Sequence, residues 1–106
     1  MVDQSIVNSI KNYMLQLGVL GIHPEKVILF GSFATGKANE LSDIDLIVIA
    51  PEFDGNRQIQ LIKKLWKATS ADNRIEPIPC GKDEWENNHS RPILEIARNE
   101  GIVFAA

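Results

Sequence analysis

The segment DIDLIVIA, residues 43–50, constrains the fold of this chain more than any other segment. Apart from its two aspartates it is entirely apolar and rich in β-branched residues, which is typical of a β-strand. Side chains at positions i and i+2 of a strand point to the same face. Asp43 and Asp45 are therefore predicted to project together, while Ile44, Leu46 and Val48 project the other way. The fold must hold two carboxylates side by side where this strand begins.

The rest of the chain alternates between helical and strand patterns, which indicates a layered α/β fold, bordering on α+β, with a small mixed sheet. The helices are expected to pack mainly on one face of it. Trp66 is interpreted as a core residue, and Ile93, Ile96 and Ala97 as one helix face. The predicted elements are a helix over 4–17 after Asp3, a strand over 27–30 covered on both faces, the strand over 43–50, a helix over 57–69, a strand over 74–80 that Pro77 and Pro79 restrict to a sheet edge or a bulge, a helical turn around Trp85, a helix from Pro92 to Gly101 and a short strand over 102–106.

Bulk properties narrow the classes of protein to consider. A length of 106 residues predicts a single domain over 1–106. The net charge of −3 argues against autonomous nucleic-acid binding, which usually needs a basic surface. Cys80 is the only cysteine, so no internal disulfide is expected and it is interpreted as a small, partly buried side chain. The sequence shows no signal-peptide pattern and no run that could span a bilayer, so a soluble cytoplasmic protein is expected.

The aspartate pair predicts a metal site. Two carboxylates on one strand face repel each other, and a cation between them would relieve that repulsion. Magnesium favours a few carboxylate oxygens together with waters and substrate phosphates, and two such ions can assist a phosphoryl displacement. An isolated pair of this kind is, however, often only the solvated end of a strand.

Gly31 and Ser32 supply a complementary pattern directly after the strand over 27–30. Glycine lets the backbone turn sharply and approach a ligand closely. If residues 32–36 open a helix, their amide groups offer hydrogen-bond donors to a phosphate, and the Ser32 hydroxyl adds another. A simple turn is the ordinary alternative. It is the combination of this glycine turn with the aspartate pair that predicts a phosphate-binding site.

Glu76 is the candidate for a third carboxylate. It lies in the next predicted strand, one crossover helix later, so neighbouring strands would bring it beside Asp43 and Asp45. There it would complete a two-metal site or take the proton from an attacking hydroxyl. A surface position on an edge strand is the alternative for Glu76.

Other polar residues are interpreted as surface residues: Lys63, Lys64, Lys67, His23 and His89.

The stretch LFGSFATGKANELSDIDLIVI resembles the signature of the DNA polymerase beta-like nucleotidyltransferase superfamily in its minimal form. That signature is Gly-Ser, ten residues, and Asp-x-Asp; here residues 33–42 separate Ser32 from Asp43. The resemblance also covers Ser42, the strand after it, and the closing segment ILEIARNEGIVF. The third acid of the family is more usually Asp, where this chain has Glu76.

The resemblance implies a transfer of a nucleoside monophosphate, with AMP from ATP the first candidate, in the presence of one or two Mg²⁺ ions. Asp43, Asp45 and Glu76 would be the catalytic metal ligands. Gly31, Ser32, Ser42 and Lys37 would contact the nucleotide. Minimal members often act as antitoxins that adenylate a separate all-helical HEPN protein. The resemblance therefore implies such a partner, and it leaves open a homo-oligomer.

Two other classes of function remain open at this stage. The same fold would serve as a non-catalytic module that binds a nucleotide, or nothing, and neutralises a partner by contact. A nucleic-acid-modifying subunit is the other, which the acidic balance disfavours. The acceptor, the base of the nucleotide and the partner are not encoded in any recognisable pattern.

Overall fold

The computed structural model describes residues 2–55 and 59–105 of the chain. Every predicted element is present, and its described ends differ from the predicted ones by no more than two residues. Residues 57 and 58 of the predicted helix over 57–69, and residue 106 of the predicted strand over 102–106, lie outside the described residues. The elements are α1 Gln4–Val19, β1 Lys26–Phe30, α2 Ser32–Thr35, β2 Ile44–Ile49, α3 Ile59–Lys67, β3 Ile75–Cys80, α4 Lys82–Asn87, α5 Pro92–Glu100 and β4 Ile102–Ala105, with 3₁₀ turns at Pro51–Phe53 and Ala68–Ala71.

The four strands form one mixed sheet in the order β3-β2-β1-β4. β1 runs antiparallel to both β2 and β4, whereas β2 and β3 are parallel. The parallel pair is joined through α3, because a parallel connection needs a crossover long enough to return the chain to the same end of the sheet. β3, with its two prolines, lies at a sheet edge as predicted. The predicted class, a small mixed sheet with helices packed on it, is confirmed.

The core lies on both faces of the sheet. One face packs against α1, α3 and the 3₁₀ turns, and its largest fully buried side chains include Tyr13, Leu17 and Phe53. On the other face Leu94 and Ala97 of α5 pack against β1 and β2, with Cys80 fully buried among them. The expectation that the helices lie mainly on one face is therefore wrong. Continuous apolar strands such as β1 need cover on both sides, and α4 and α5 provide it.

α3 and α5 each expose one residue that the sequence assigned to the buried side, although Leu65 and Ala97 are buried as predicted. In α3 the buried residue is Leu65, whereas Trp66 is 50% exposed, so its assignment to the core is wrong. Neighbouring helix positions point about 100° apart, and the side chain that meets the sheet here is the leucine. In α5 the buried residues are Leu94 and Ala97, and Ile96 is 47% exposed instead of belonging to the buried face.

Trp85 of α4 packs against the core on the α5 side. Its ring also has two cations beside it: the Arg98 guanidinium carbon lies 4.7 Å from the ring centroid and the Lys26 ammonium nitrogen 5.9 Å. Arg98 in addition donates hydrogen bonds to the backbone carbonyl oxygens of Glu84, Trp85 and Asn88, where α4 ends. These contacts attach the short α4 to α5.

Candidate active site

One end of the sheet gathers the polar residues that the sequence analysis selected. β1 ends there at Phe30, and β2 and β3 begin there; we call it the site end. Asp45 is the register partner of Phe30 on β1 and of Glu76 on β3. Asp43 directly precedes β2, and Gly31 directly follows β1. Glu76 therefore lies on the strand beside the aspartate pair, as predicted.

The two faces of β2 divide as the alternation of its residues predicts. Ile44, Leu46 and Val48 belong to the core on the α1 side. Ile47 and Ile49 pack on the α5 side, and Asp45 shares that face at the site end. Asp45 is half-buried, whereas Asp43 and Glu76 are exposed. The carboxylates thus stand where the apolar sheet opens to solvent.

Mutual repulsion is visible in the electrostatics of these carboxylates. The pKa of Asp45 is raised above its ordinary value by partial burial and then by the charge of Asp43. The pKa of Glu76 is also raised, first by desolvation and then by the charges of Asp43 and Asp45. Among the described residues, no Lys or Arg forms an ion pair with any of the three. The cluster therefore carries unbalanced negative charge.

Gly31 touches the same cluster from the β1 side. Its φ of +76° lies in the region that disfavours side chains, and a Cβ placed on it would stand 2.4 Å from Asp45 Oδ2. A residue with a side chain would therefore strain the backbone and displace the carboxylate. Glycine at this position brings the backbone that begins α2 against Asp45.

The first turn of α2 faces the site end with free donors. Gly31 carbonyl oxygen accepts from the amides of Ala34 and Thr35, which leaves the amides of Ser32 and Phe33 without intrahelical partners. The Thr35 hydroxyl donates back to the same carbonyl oxygen. Gly36 then ends the turn in a left-handed conformation. The predicted glycine turn followed by a short helix is present.

Ser42 and Lys37 lie in the connection between α2 and β2. The Ser42 hydroxyl accepts the Asn39 amide at 2.9 Å, and the Ser42 amide donates to the Asn39 carbonyl oxygen. Ser42 thereby closes the turn that leads into Asp43. The backbone amide of Lys37 donates to the Ser32 carbonyl oxygen, and the residue is exposed. Their roles toward a nucleotide stay predictions.

The chemistry of the three carboxylates fits a divalent cation that arrives with phosphates. Among residues 2–55 and 59–105, no three His, Cys, Asp or Glu side chains form a cage that could hold a metal ion. Mg²⁺ seldom uses such a cage, since it prefers one or two carboxylates together with waters and phosphate oxygens. Asp43 and Asp45, with Glu76 beside them, offer that type of donor set. The Ser32 and Phe33 amides, which lack intrahelical partners, follow Gly31, whose backbone approaches Asp45.

Arg74 is a residue at the site end that the sequence analysis missed. Its carbonyl oxygen accepts the Ile44 amide at 2.9 Å, so its backbone lies just before β3, beside the start of β2. Its Nε and Nη2 donate to the two carboxylate oxygens of Asp72, and its guanidinium carbon lies 6.0 Å from the ring centroid of Phe33. The signal in the sequence that could have pointed to Arg74 is its position two residues before Glu76.

Other polar residues play no part in this cluster. Lys63 and Lys67 are exposed on α3, and His23 is exposed before β1. His89 pairs with Glu95 at 2.6 Å. No helix among the described residues has the length and apolar character needed to cross a membrane.

The family comparison agrees with this geometry. The family model described as a nucleotidyltransferase domain matches residues 7–101, which include every residue of the site end. A search of curated proteins found no match to the chain.

Proposed function

The chain belongs to the nucleotidyltransferase domain family, and from this premise we propose that it transfers AMP from ATP, with Mg²⁺, to a hydroxyl group of a partner protein. The observation that carries the proposal is the meeting of Asp43, Asp45 and Glu76 beside Gly31 at one end of the sheet. Three carboxylates without a described cationic partner favour metal-assisted chemistry, and a glycine turn with free amides favours phosphate binding.

In the proposed reaction, the acceptor oxygen attacks the α-phosphorus of ATP. At the same time the bond breaks between this phosphorus and the oxygen that links the α- and β-phosphates. AMP is joined to the acceptor, and pyrophosphate leaves. Glu76 takes the proton of the acceptor hydroxyl, because it is a carboxylate that lies beside Asp45 on the neighbouring strand. The amides and hydroxyl at Gly31 and Ser32 hold the phosphates, with Ser42 and Lys37 as further contacts.

Asp43, Asp45 and Glu76 would hold Mg²⁺, which supplies charge neutralisation on the phosphates when bound. The protein itself contributes by holding the catalytic side chains in place. Asp45 lies against the backbone of Gly31 and is the register partner of Glu76, so the sheet sets its position before a substrate arrives. Orientation of this kind accounts for much of the rate in phosphoryl transfer.

The partner in this proposal is an all-helical HEPN-type protein, with the chain acting as its antitoxin in the cytoplasm. The support is the resemblance to minimal family members together with the family match. A homo-oligomer is compatible with it, whereas a nucleic-acid acceptor is disfavoured by the net charge of −3.

The test uses ATP labelled at the α-phosphate, Mg²⁺, the purified chain and the protein encoded beside it. Matched reactions use γ-labelled ATP and the Asp45→Asn variant. The proposal predicts α-label on a protein band with wild type and at least about 100-fold less with the variant. Transfer of the γ-label alone would instead show a kinase-like reaction and contradict the proposal.

The alternative is a non-catalytic nucleotide-binding module that neutralises its partner by contact. The absence of a preformed three-ligand metal group among the described residues is compatible with it. Asp45→Asn separates the two functions, because it removes one charge and leaves the outer surface almost unchanged. If this variant still binds and neutralises the partner while no label moves with wild type, the module is the correct function.

A further inference from the structure

α3 leaves part of its apolar side uncovered by its own chain. Leu65 is fully buried, and Leu61 and Ile62 are partly buried against the core on the α1 side. By contrast, Ile59 is 62% exposed and Trp66 is 50% exposed. The apolar side of a surface helix is usually the side that it buries. Within the described part of the chain, α3 therefore carries more apolar surface than the sheet and α1 cover.

The exposed apolar residues of α3 form a stripe beside a row of lysines. Successive helix positions point about 100° apart, so Ile59, Ile62 and Trp66 lie within about 60° of one another. Lys63 and Lys67 follow around the helix, on the side farther from the core. We use the term α3 surface for five residues: Ile59, Ile62, Lys63, Trp66 and Lys67.

The charge of this lysine row is not balanced by a neighbouring carboxylate of the described chain. Lys63 and Lys67 are exposed, and neither forms an ion pair with an Asp or Glu in residues 2–55 or 59–105. Helix α3 itself contains no acidic residue. The chain as a whole has a net charge of −3. The α3 surface is thus a local positive strip on an acidic protein, directly beside exposed apolar side chains.

We infer that the α3 surface is a docking site for a helix of another protein, and that the apolar stripe of this partner helix is bordered by Asp or Glu. Apolar residues at spacings of three and seven form the kind of side-chain ridge that packs against a second helix. Tryptophan is among the residues that contribute most to binding energy at interfaces, and charges at the rim of an interface select a partner of complementary charge.

A second copy of this chain is a less suitable occupant of the α3 surface. If two α3 helices packed antiparallel through their stripes about a two-fold axis, Lys63 and Lys67 of both copies would lie on the same side of the interface. Like charges placed there repel, whereas a helix bordered by carboxylates would pair with the lysines. The charge of the α3 surface therefore favours a different, acidic chain.

Docking at α3 is separate from the chemistry at the site end. α3 packs on the α1 side of the sheet, whereas Asp45 shares the opposite face with Ile47 and Ile49. A helix bound at α3 therefore occupies a different face of the protein from Asp45. The inference goes beyond the proposed function and does not depend on it, so it is tested without ATP or Mg²⁺.

The test measures the affinity of the full chain for synthetic amphipathic peptides of about 20 residues, long enough to form a helix in isolation. Three peptides share one leucine stripe and differ only in the residues that border it: Glu, Gln or Lys. Titration calorimetry at low ionic strength compares wild type with Trp66→Ala and Lys67→Glu. The matched controls on α1 are Leu15→Ala, at a residue that is 68% exposed, and Lys11→Glu, at an exposed lysine. Thermal melting verifies that each variant is folded.

We expect wild type to bind the Glu peptide about 5-fold more tightly than the Gln peptide, as two exposed ion pairs would give, and to bind the Lys peptide most weakly. Trp66→Ala should weaken binding of the Glu peptide by about 30-fold, an ordinary effect of removing a central interface tryptophan. Lys67→Glu should abolish the preference for Glu over Gln, because one attraction and one repulsion then cancel. Both α1 variants should bind the peptides as wild type does.

Three results would overturn the inference. Absence of saturable binding to the Glu peptide would show that α3 is not a docking site for such a helix. If all three peptides bind equally, or if the α1 variants weaken binding as much as the α3 variants do, binding is not specific to the α3 surface. If wild type alone forms a dimer in sedimentation and Trp66→Ala does not, a second copy occupies this surface instead. The proposed transferase function is unaffected by any of these results.

Discussion

At the scale of single residues, Gly31 shows why the sequence motif requires a glycine. Its positive φ and the 2.4 Å approach of a built Cβ to Asp45 Oδ2 are separate constraints. Gly36 has nearly the same φ, +78°, but nothing within 4 Å of its built Cβ. Substitutions at Gly31 and Gly36 can therefore distinguish the effect of backbone strain from the effect of displacing the Asp45 carboxylate.

Gly31→Ala is predicted to lower activity by about 100-fold or more, because a displacement of about 1 Å in a catalytic group has effects of that size. Gly36→Ala should only destabilise the fold, by about 1–2 kcal/mol. Chemical denaturation and AMP-transfer rates measured on both variants check this prediction. Equal activity losses in the two variants would show that the contact with Asp45 does not matter.

Asp45 and Asp72 are predicted to affect stability with opposite dependence on pH. The folded-state pKa of Asp45 is raised, so the native state binds more protons than the unfolded state at pH values between the ordinary carboxyl pKa and the raised one. The free energy of unfolding therefore falls as pH rises through this interval. The folded-state pKa of Asp72 is lowered, so its contribution is present above the ordinary carboxyl range and is lost as pH falls below it.

In the absence of divalent cations, Asp45→Asn should therefore melt a few degrees above wild type at pH 7. Asp72→Asn should be destabilised there by about 1–3 kcal/mol, the usual contribution of hydrogen bonds to a charged group. The difference in stability between each variant and wild type should become smaller as the pH approaches 3. Melting curves between pH 3 and pH 8 in EDTA test this, and an Asp45→Asn variant that melts below wild type at pH 7 would contradict it.

Much of the site was predictable at this scale, since Asp43 and Asp45 share a face by alternation alone. Glu76 required the further assumption that β2 and β3 are neighbours, which the register of the sheet confirms. Arg74 was missed because its side-chain direction is set by the turn before β3 and by Asp72, and no periodic pattern describes a turn.

At the scale of elements, the sequence predicted where helices and strands lie better than which side of a helix is buried. In α3 the pattern placed Trp66 in the core, but Leu65 is fully buried and Trp66 is half exposed. The Tyr13 hydroxyl of α1 donates to the Leu65 carbonyl oxygen at 2.9 Å, which fixes the rotation of α3 against α1. Such a tertiary contact is invisible in the helical period.

Leu65→Ala is predicted to reduce the free energy of unfolding by about 2–5 kcal/mol, as expected for a fully buried leucine. Trp66→Ala, one position further on, should reduce it by about 1 kcal/mol or less, although it removes the larger side chain. Urea denaturation of the two variants measures both values. A larger loss for Trp66→Ala would restore the core position that the sequence suggested.

At the scale of the whole molecule, the class of fold followed from the alternation of strands and helices, and the directions of the strands followed from their connections. The link from β1 to β2 contains only the short α2, and these strands are antiparallel; the link to β3 contains α3, and these strands are parallel. The division of the helices between the two sheet faces was not predicted, because it depends on how α5 folds back across β1.

This topology brings Asp43, Asp45 and Glu76 to one end of the sheet, where we propose that they bind a nucleotide together with a divalent cation. The most direct measurement is the calorimetric affinity for a non-hydrolysable ATP analogue, with Mg²⁺ and with EDTA. The proteins compared are wild type, Asp45→Asn and Glu52→Gln. Glu52 is an exposed carboxylate in the 3₁₀ turn beyond the other end of β2, and its variant makes the same change in charge.

We predict that wild type and Glu52→Gln bind the analogue only with Mg²⁺, and that Asp45→Asn binds it at least 10-fold more weakly, a loss of about 1.4 kcal/mol or more. Equal affinity in all three proteins, or binding that persists in EDTA, would contradict the claim that these carboxylates hold the cation and the nucleotide.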